Sequence, residues 1–300
     1  MTLNFTFEED DGMWGYKGVF CGLKKHFLQN NCGHNINFRM SQHLNDQKNV
    51  RDKYGAFCLT IENTENGKYF LISYWDKIYD LLEIPDFNNC VELFTSAGGH
   101  SDDYFYNSVD YNYTPSSYTG CLSHNEVIID NLYKQERKRN FNGLSFRGYL
   151  YNFRQYLKND NRYKITDQKI LEPELYFEEL NNNLVNLSLN GAAEICHRDI
   201  ELLGLGTAMI RSELVTKFHN NLIPDFHYIS IPINDIDKNN MNEYYKELSD
   251  RIINRYEEVK NDIDFVKFVG ENGRKWYEEN GTVKSNVDIL KKIINIDKLL

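Results

Sequence analysis

Residues 181–211, NNNLVNLSLNGAAEICHRDIELLGLGTAMIR, constrain the fold more than any other stretch of the chain. The run 184–189 is apolar and short, as expected of a strand buried on both faces in a parallel sheet. Asn190 and Gly191 break it. A helix is predicted from residue 192 to about residue 203, ended by Gly204 and Gly206, with a second apolar piece at 207–210. The result is a strand–loop–helix–strand unit, and parallel sheets bind ligands at the carboxyl ends of their strands. A helix N-terminus at that edge offers unpaired N–H groups and the positive end of the helix dipole, which suits phosphate. Glu194, Arg198 and Glu201 fall at i, i+4 and i+7 and so share one face of the predicted helix, with His197 and Asp199 flanking Arg198. A solvated helix produces the same charge pattern, so the chemistry has to be sought along the whole chain.

The chain opens with an alternating strand at 3–7 and four acids, Glu8, Glu9, Asp10 and Asp11. A helix is predicted over 13–29, where Tyr16, Phe20, Leu23 and Phe27 make one apolar face. A strand at 36–40 follows, so the order is strand, helix, strand, as in a doubly wound sheet. Strands at 56–61 and 69–74 are separated by an Asn66-Gly67 turn signal. Asp76 then falls at a strand's carboxyl end, where open α/β sheets keep their chemistry. A strand at 91–95 leads into a polar loop carrying His100, Asp102 and Asp103. Residues 104–118 are rich in Tyr, Asn and Ser and are predicted to be irregular, and 124–135 is a helix.

The basic stretch Glu136-Arg137-Lys138-Arg139 and the turn Asn142-Gly143 form the clearest break in composition. They divide the chain into an N-terminal half, 1–140, and a C-terminal half, 141–300. The second half opens with a strand ending in Phe146-Arg147-Gly148 and a helix over 149–157 carrying Arg154. Arg147 and Arg154 could both reach one anion. After the central unit a polar helix-like piece runs to His219, and a loop leads into a strand near Ile229. Two long helices follow, at 240–261 and 265–279, the first with Met241, Tyr245, Leu248, Ile252, Tyr256 and Val259 on its apolar face. A last short helix at 287–294 is free to pack back on the N-terminal half.

Net charge is −10, which argues against a nonspecific nucleic-acid partner but not against a small anion held by a few arginines. The six cysteines are scattered, with neither CxxC nor CxxH spacing, so neither a zinc site nor a disulfide framework is expected. Asp102-Asp103 has no other ligand at metal-like spacing, and no metal is expected. No apolar run reaches about 18 residues, and the acidic N-terminus lacks a signal-peptide core, so a cytoplasmic chain with no membrane span is expected.

Taken together, these pieces resemble glycosyltransferase family 90, which includes the Rumi-like protein O-glucosyltransferases and the capsule-associated xylosyltransferases. Phe146-Arg147-Gly148 with Arg154 resembles the family's FRG…R signature. Glu194-Ile195-Cys196-His197-Arg198 resembles its segment with a diphosphate-binding arginine, and residues 204–210 its following glycine and apolar strand. Phe226-His227-Tyr228-Ile229 and the two C-terminal helices ending in Lys275-Trp276-Tyr277 match in order, and residues 72–76 sit where the family has a strand ending in an aspartate. The resemblance covers about two thirds of the chain and lies in the collinear order of motifs that are individually weak. Tyr149 stands after FRG in place of a small hydroxyl residue, and Asp76 lacks the usual proline soon after it.

The resemblance implies an α/β protein of the GT-B type, with two Rossmann-like domains facing a cleft. The first half would serve the acceptor and the second would bind the nucleotide-sugar. It implies an inverting, metal-independent transfer of a hexosyl or pentosyl group from a UDP-sugar, which is a substrate and not a cofactor, to a hydroxyl of a glycan or protein. Asp76 would be the general base. Arg147, Gly148, Arg154, Gly191, Glu194, Arg198 and Glu201 would face the donor, and Asp10, Asp11 and His100 would lie on the acceptor side. The alternative from another class is a catalytically inactive GT-B-like protein that binds a glycan or partner through its aromatic loops. A magnesium-dependent nucleotidyltransferase or kinase using Asp102-Asp103 is disfavoured, because no GxxxxGK[ST] phosphate loop is present.

Overall fold

The computed structural model describes residues 1–8, 14–30, 34–41, 58–73, 89–95, 125–135, 138–150, 152–167, 171–191, 194–214, 218–237 and 239–300. Among them the fold is mixed α/β, with separate sheets in the two halves of the chain.

The first sheet is built from β1 (Thr2–Glu8), β2 (Asn35–Ser41), β3 (Cys58–Asn63), β4 (Tyr69–Ser73) and β5 (Cys90–Thr95), in the order β2-β1-β3-β4-β5. Leu3, Phe5 and Phe7 alternate along β1 and are fully buried. Helix α1 (Trp14–Gln29) carries the chain from β1 to the parallel strand β2 and buries Val19, Phe20, Leu23 and Phe27. The sheet is mixed, not wholly parallel as a doubly wound reading would have it: β1 pairs β3, and β3 pairs β4, in antiparallel fashion. The connection between β3 and β4 gives the reason. Five residues are too few to cross over a sheet and can only reverse the chain. Asn63 and Asn66 shape that reversal by accepting from the N–H groups of Glu65 and Lys68, both at 3.0 Å, and Gly67 takes a φ of +76°.

The second half is parallel throughout. β6 (Leu144–Gly148) pairs β7 (Tyr163–Asp167), and β8 (Val185–Leu187), β9 (Ala208–Ser212) and β10 (Ile229–Ile231) form a sheet in the order β10-β9-β8. Every residue of β8, β9 and β10 is buried, as expected of parallel strands covered on both faces. One face of β9 presents Ala208 and Ile210 to a core shared with α6 (Met241–Val259) and α7 (Ile263–Asn280). The other presents Met209 to α2 (Glu126–Tyr133), α4 (Pro173–Asn181) and α5 (His197–Leu205). Helix α3 (Asn152–Leu157) joins β6 to β7. On α6 the buried stripe is Tyr244, Leu248, Ile252, Tyr256 and Val259. Met241 is exposed and Tyr245 half-buried, so the stripe is set one residue earlier at its start than the spacing predicts.

The polar piece after Arg211 is not helical at 213–214 or 218–220. Glu213 donates to the Ile231 carbonyl at 2.9 Å, and two further N–H groups are met by side chains: Leu214 donates to the Tyr228 hydroxyl at 3.3 Å and Phe218 to Asn221 Oδ1 at 2.9 Å.

The last helix, α8 (Val283–Ile293), returns to the first half. Val287, Leu290, Ile294 and Leu299 complete the core that Leu3, Phe5, Phe20 and Ile72 begin. Val283 and Val287 lie where Cβ atoms on Gly18 and Gly22 of α1 would stand, at 2.8 and 2.6 Å. The carbonyl of Leu299 accepts from Asn63 Nδ2 at 3.0 Å and Asn66 Nδ2 at 2.8 Å, so the chain's last residues are tied to the β3–β4 turn.

Helices α5 and α7 are in contact through glycine. A Cβ on Gly270 would sit 2.6 Å from the Gly206 carbonyl oxygen and 3.3 Å from the Ala208 nitrogen, both backbone atoms that cannot rotate away. Gly270→Ala is therefore expected to destabilise the fold by about 1–3 kcal/mol, the usual range for overpacking, read as a lower urea midpoint at unchanged m-value.

Candidate functional site

Strand β6 ends in Phe146-Arg147-Gly148. Successive strand residues leave on opposite faces, and Phe146 and Arg147 do so here. Arg147 pairs with Glu179 on α4 through Nε at 3.2 Å and Nη2 at 3.0 Å. The Phe146 ring instead meets two other guanidinium groups, Arg154 at 4.6 Å and Arg198 at 4.9 Å from its centroid. Arg147 and Arg154 are thus directed to different partners, while Arg154 and Arg198 meet on one ring. A Cβ on Gly148 would come within 3.0 Å of that ring, so the glycine leaves room for it.

Arg154 and Arg198 are almost fully buried; Arg198 braces the end of β8 and Arg154 the residues just after it. Arg154 Nη2 donates to the Leu189 carbonyl at 2.8 Å. Arg198 donates from Nε to the Leu187 carbonyl at 2.9 Å, from Nη2 to the Ser145 carbonyl at 3.3 Å, and from Nη1 to the Tyr176 hydroxyl at 3.4 Å. A guanidinium has five N–H groups. Among the described residues, three of Arg198's are used this way.

Helix α5 begins at His197, five residues later than the apolar pattern predicts. The cause is Asp199, whose carboxylate turns back to accept from the Cys196 backbone N–H at 2.7 Å and closes a capping box around Cys196. Glu194 consequently lies before the helix, and the three-charge face expected from Glu194, Arg198 and Glu201 does not exist. Gly204 is inside the helix, and Gly206, with a φ of +64°, terminates it. Asp199 also accepts from Ser188 Oγ at 2.7 Å and from Arg211 Nη1 at 2.5 Å.

Arg211, the fourth residue of β9, is fully buried. It donates to Asn190 Oδ1 at 2.7 Å and to the Glu194 carbonyl at 3.0 Å, fastening both ends of the loop around Gly191. Burial opposes its charge, but Asp199 and Glu194 outweigh burial and hold its pKa above the usual value.

Glu201 is buried one helical turn after Arg198, and its Oε2 accepts from the Tyr176 hydroxyl at 3.1 Å. Burial raises the pKa of Glu201, against the opposing pull of His197, the Tyr176 hydrogen bond and Arg198. Burial likewise pushes the Tyr176 hydroxyl up.

Of the residues read as donor-facing, Arg154 and Arg198 reach the carboxyl end of β8, Gly148 packs beside Phe146, and Gly191 and Glu194 lie in the stretch that Arg211 fastens; Glu201 sits one turn further along α5 against Tyr176, and Arg147 turns to α4. Asp76, Asp10, Asp11 and His100 lie outside the described residues, as do Asp102 and Asp103. Three residues of this arrangement, Asp199, Arg211 and Tyr176, were given no role from sequence. Asp199 carried a signal, since an acid three residues after the helix cap is capping-box spacing. Arg211 carried another, a charged residue directly after the apolar run 207–210. Tyr176 reaches the site from another helix and carries no local signal.

Among the described residues no group of three or more His, Cys, Asp or Glu side chains is placed to hold a metal ion. No helix among them is long and apolar enough to cross a membrane.

No family model matches the sequence, and no curated protein matches it. Solved structures are similar only at a low level. TarM has 8% identity and a TM-score of 0.37, over 78% of this chain and 63% of its own. The Anabaena protein HepE, solved in complex with UDP, has 10% identity and a TM-score of 0.39, over 96% of this chain and 98% of its own. A sugar transporter from Clostridium phytofermentans has 10% identity and a TM-score of 0.26, over 82% of this chain and 90% of its own. This chain thus spans less than two thirds of the length of TarM. All three TM-scores fall below 0.5, and the fold described above rests on the chain's own strand order.

The buried carboxyl of Glu201 sets a pH dependence of stability. Its folded pKa lies above the reference value of 4.5, so its contribution is complete below that pH and is lost as pH rises through the folded value. Glu201→Gln keeps the acceptor for Tyr176 and removes the charge. The variant is expected to melt higher than the parent at about pH 8, with the gain shrinking to nothing as pH falls toward about 4.5, measured by thermal melts across that range.

Proposed function

We propose that the chain is a glycosyltransferase of the GT-B type and of the family 90 pattern. It would move a hexosyl or pentosyl group from a UDP-sugar to a hydroxyl of a glycan or protein, with inversion and without a metal. The observation that carries this reading is Arg198. It stands at the carboxyl edge of a parallel sheet, beside the N-terminus of α5, with three of its five N–H groups committed to Leu187, Ser145 and Tyr176. The remaining two suit the oxygens of a diphosphate. The stretch after β8 is held by Arg154 at Leu189 and by Arg211 at Asn190 and Glu194, so its ends are fixed before a ligand arrives.

The chemistry follows from that electrostatics. As the sugar departs, negative charge builds on the diphosphate leaving group, and fixed cations and a helix N-terminus stabilise it as a metal would elsewhere. The acceptor hydroxyl must lose its proton as it attacks the anomeric carbon. A carboxylate on the opposite side of the sugar takes it, and we assign that role to Asp76 of the first half.

Calorimetry with UDP tests the donor assignment. The parent protein is expected to bind UDP, and Arg198→Ala to lose about 1.5–3 kcal/mol, tenfold or more in affinity. Arg198→Lys restores a cation without the planar fork and should recover only part of the loss. Unchanged affinity in Arg198→Ala would remove the residue from the site.

Transfer itself is tested with a panel of UDP-sugars in excess EDTA, following release of UDP. Asp76→Asn is expected to lower turnover by about 10²–10⁴-fold while UDP affinity stays the same. Activity that EDTA abolishes and manganese restores would overturn the metal-free mechanism. Binding of UDP with no turnover of any UDP-sugar would favour the inactive binding protein.

A further inference from the structure

We propose that Tyr176 is a positioning residue that ties Arg198 to the proton occupancy of Glu201, so that the anion site is tuned by a buried carboxyl behind it. This rests on the donor reading given above. One hydroxyl makes both links: it donates to Glu201 Oε2 at 3.1 Å and accepts from Arg198 Nη1 at 3.4 Å. Tyr176 comes from α4, while Arg198 and Glu201 lie on α5. The tyrosine is therefore the strut between two helices as well as the electrical contact. Both charged groups are almost fully buried, so their interaction is weakly screened by solvent.

Among the described residues, other charged and titratable groups face Glu201 from its own helix and from α7. His197 and Asp199 share its helix, and Tyr277 of α7 approaches it from across the core, itself beside Glu126 and Asp130 of α2. His197 and Arg198 favour the ionised carboxylate, and Asp199 and burial disfavour it.

When Glu201 is ionised, its charge reaches Arg198 through the hydroxyl and offsets the guanidinium that faces the ligand. When it is protonated, the full positive charge is left for the diphosphate. Binding an anion at Arg198 therefore favours the protonated carboxyl. By reciprocity, affinity falls as pH rises through the pKa of Glu201.

The test is UDP binding by calorimetry from about pH 5 to about pH 8, for the parent, Glu201→Gln, Tyr176→Phe and the double variant. Ionisation of UDP itself is common to all four and cancels in the comparison. At the acid end Glu201→Gln should match the parent. At the alkaline end it should bind UDP about fivefold tighter or more, because a neutral amide replaces the offsetting charge. In the Tyr176→Phe background the same Glu201→Gln change should have a smaller effect, since the hydroxyl contact is gone. Parallel pH profiles for the parent and Glu201→Gln would overturn the proposal, as would a Glu201→Gln effect of the same size with and without the hydroxyl. Both outcomes leave the donor reading standing. A parent that binds no UDP removes the donor reading and this inference together. Where Glu201→Gln folds poorly, the parent and Tyr176→Phe decide: UDP affinity should fall more steeply with rising pH in the parent than in Tyr176→Phe, and equal slopes overturn the proposal.

Discussion

The buried pair between Arg211 and Asp199 governs the second half of the molecule. A charged side chain at the centre of a parallel sheet carries a large desolvation cost, and it persists only where every donor and acceptor is met. Asp199 receives Arg211, Ser188 Oγ and the Cys196 N–H, and Arg211 in turn reaches Asn190, Glu194 and Ser212. Those contacts join β8, the loop after it, the start of α5 and β9 in one polar network. Replacing such a pair by apolar residues of similar volume is often tolerated for stability alone. What apolar residues could not supply is the direction of the hydrogen bonds, which fixes where the helix begins and which way the loop backbone faces.

That network also explains how far the sequence could be read. The strand–loop–helix–strand order of residues 185–212 was legible because burial on both faces leaves an apolar signature in β8 and β9. The helix start was not. Periodicity from residue 192 looked helical, but the capping interaction of Asp199 outweighed it and moved the start to His197. The mixed sheet of the first half was legible in the short Asn-Gly connection between β3 and β4, although the strand–helix–strand opening suggested a parallel one. Side-chain partners across helices were beyond reach. The sequence places Arg147 and Phe146 side by side, and only the sheet shows that one turns to Glu179 while the other receives two guanidinium groups.

The meeting of two arginines on Phe146 brings like charges together. Each is attracted to a face of the ring, and each donates to main-chain carbonyls, Arg154 to Leu189 and Arg198 to Leu187 and Ser145. Carbonyl dipoles compensate part of the charge of each guanidinium. Phe146 thus does for the arginines what a salt bridge would do for position, while leaving the net charge available.

The return of α8 to the first sheet has a consequence for how the fold assembles. Leu3, Phe5 and Phe7 share a core with Val287, Leu290 and Leu299, partners that lie far apart along the chain. Closing so long a loop costs conformational entropy before those contacts repay it, so pairings of this kind slow folding. Until α8 docks, the apolar face it covers stays open to solvent, and substitutions that weaken α8 would leave that face exposed for longer.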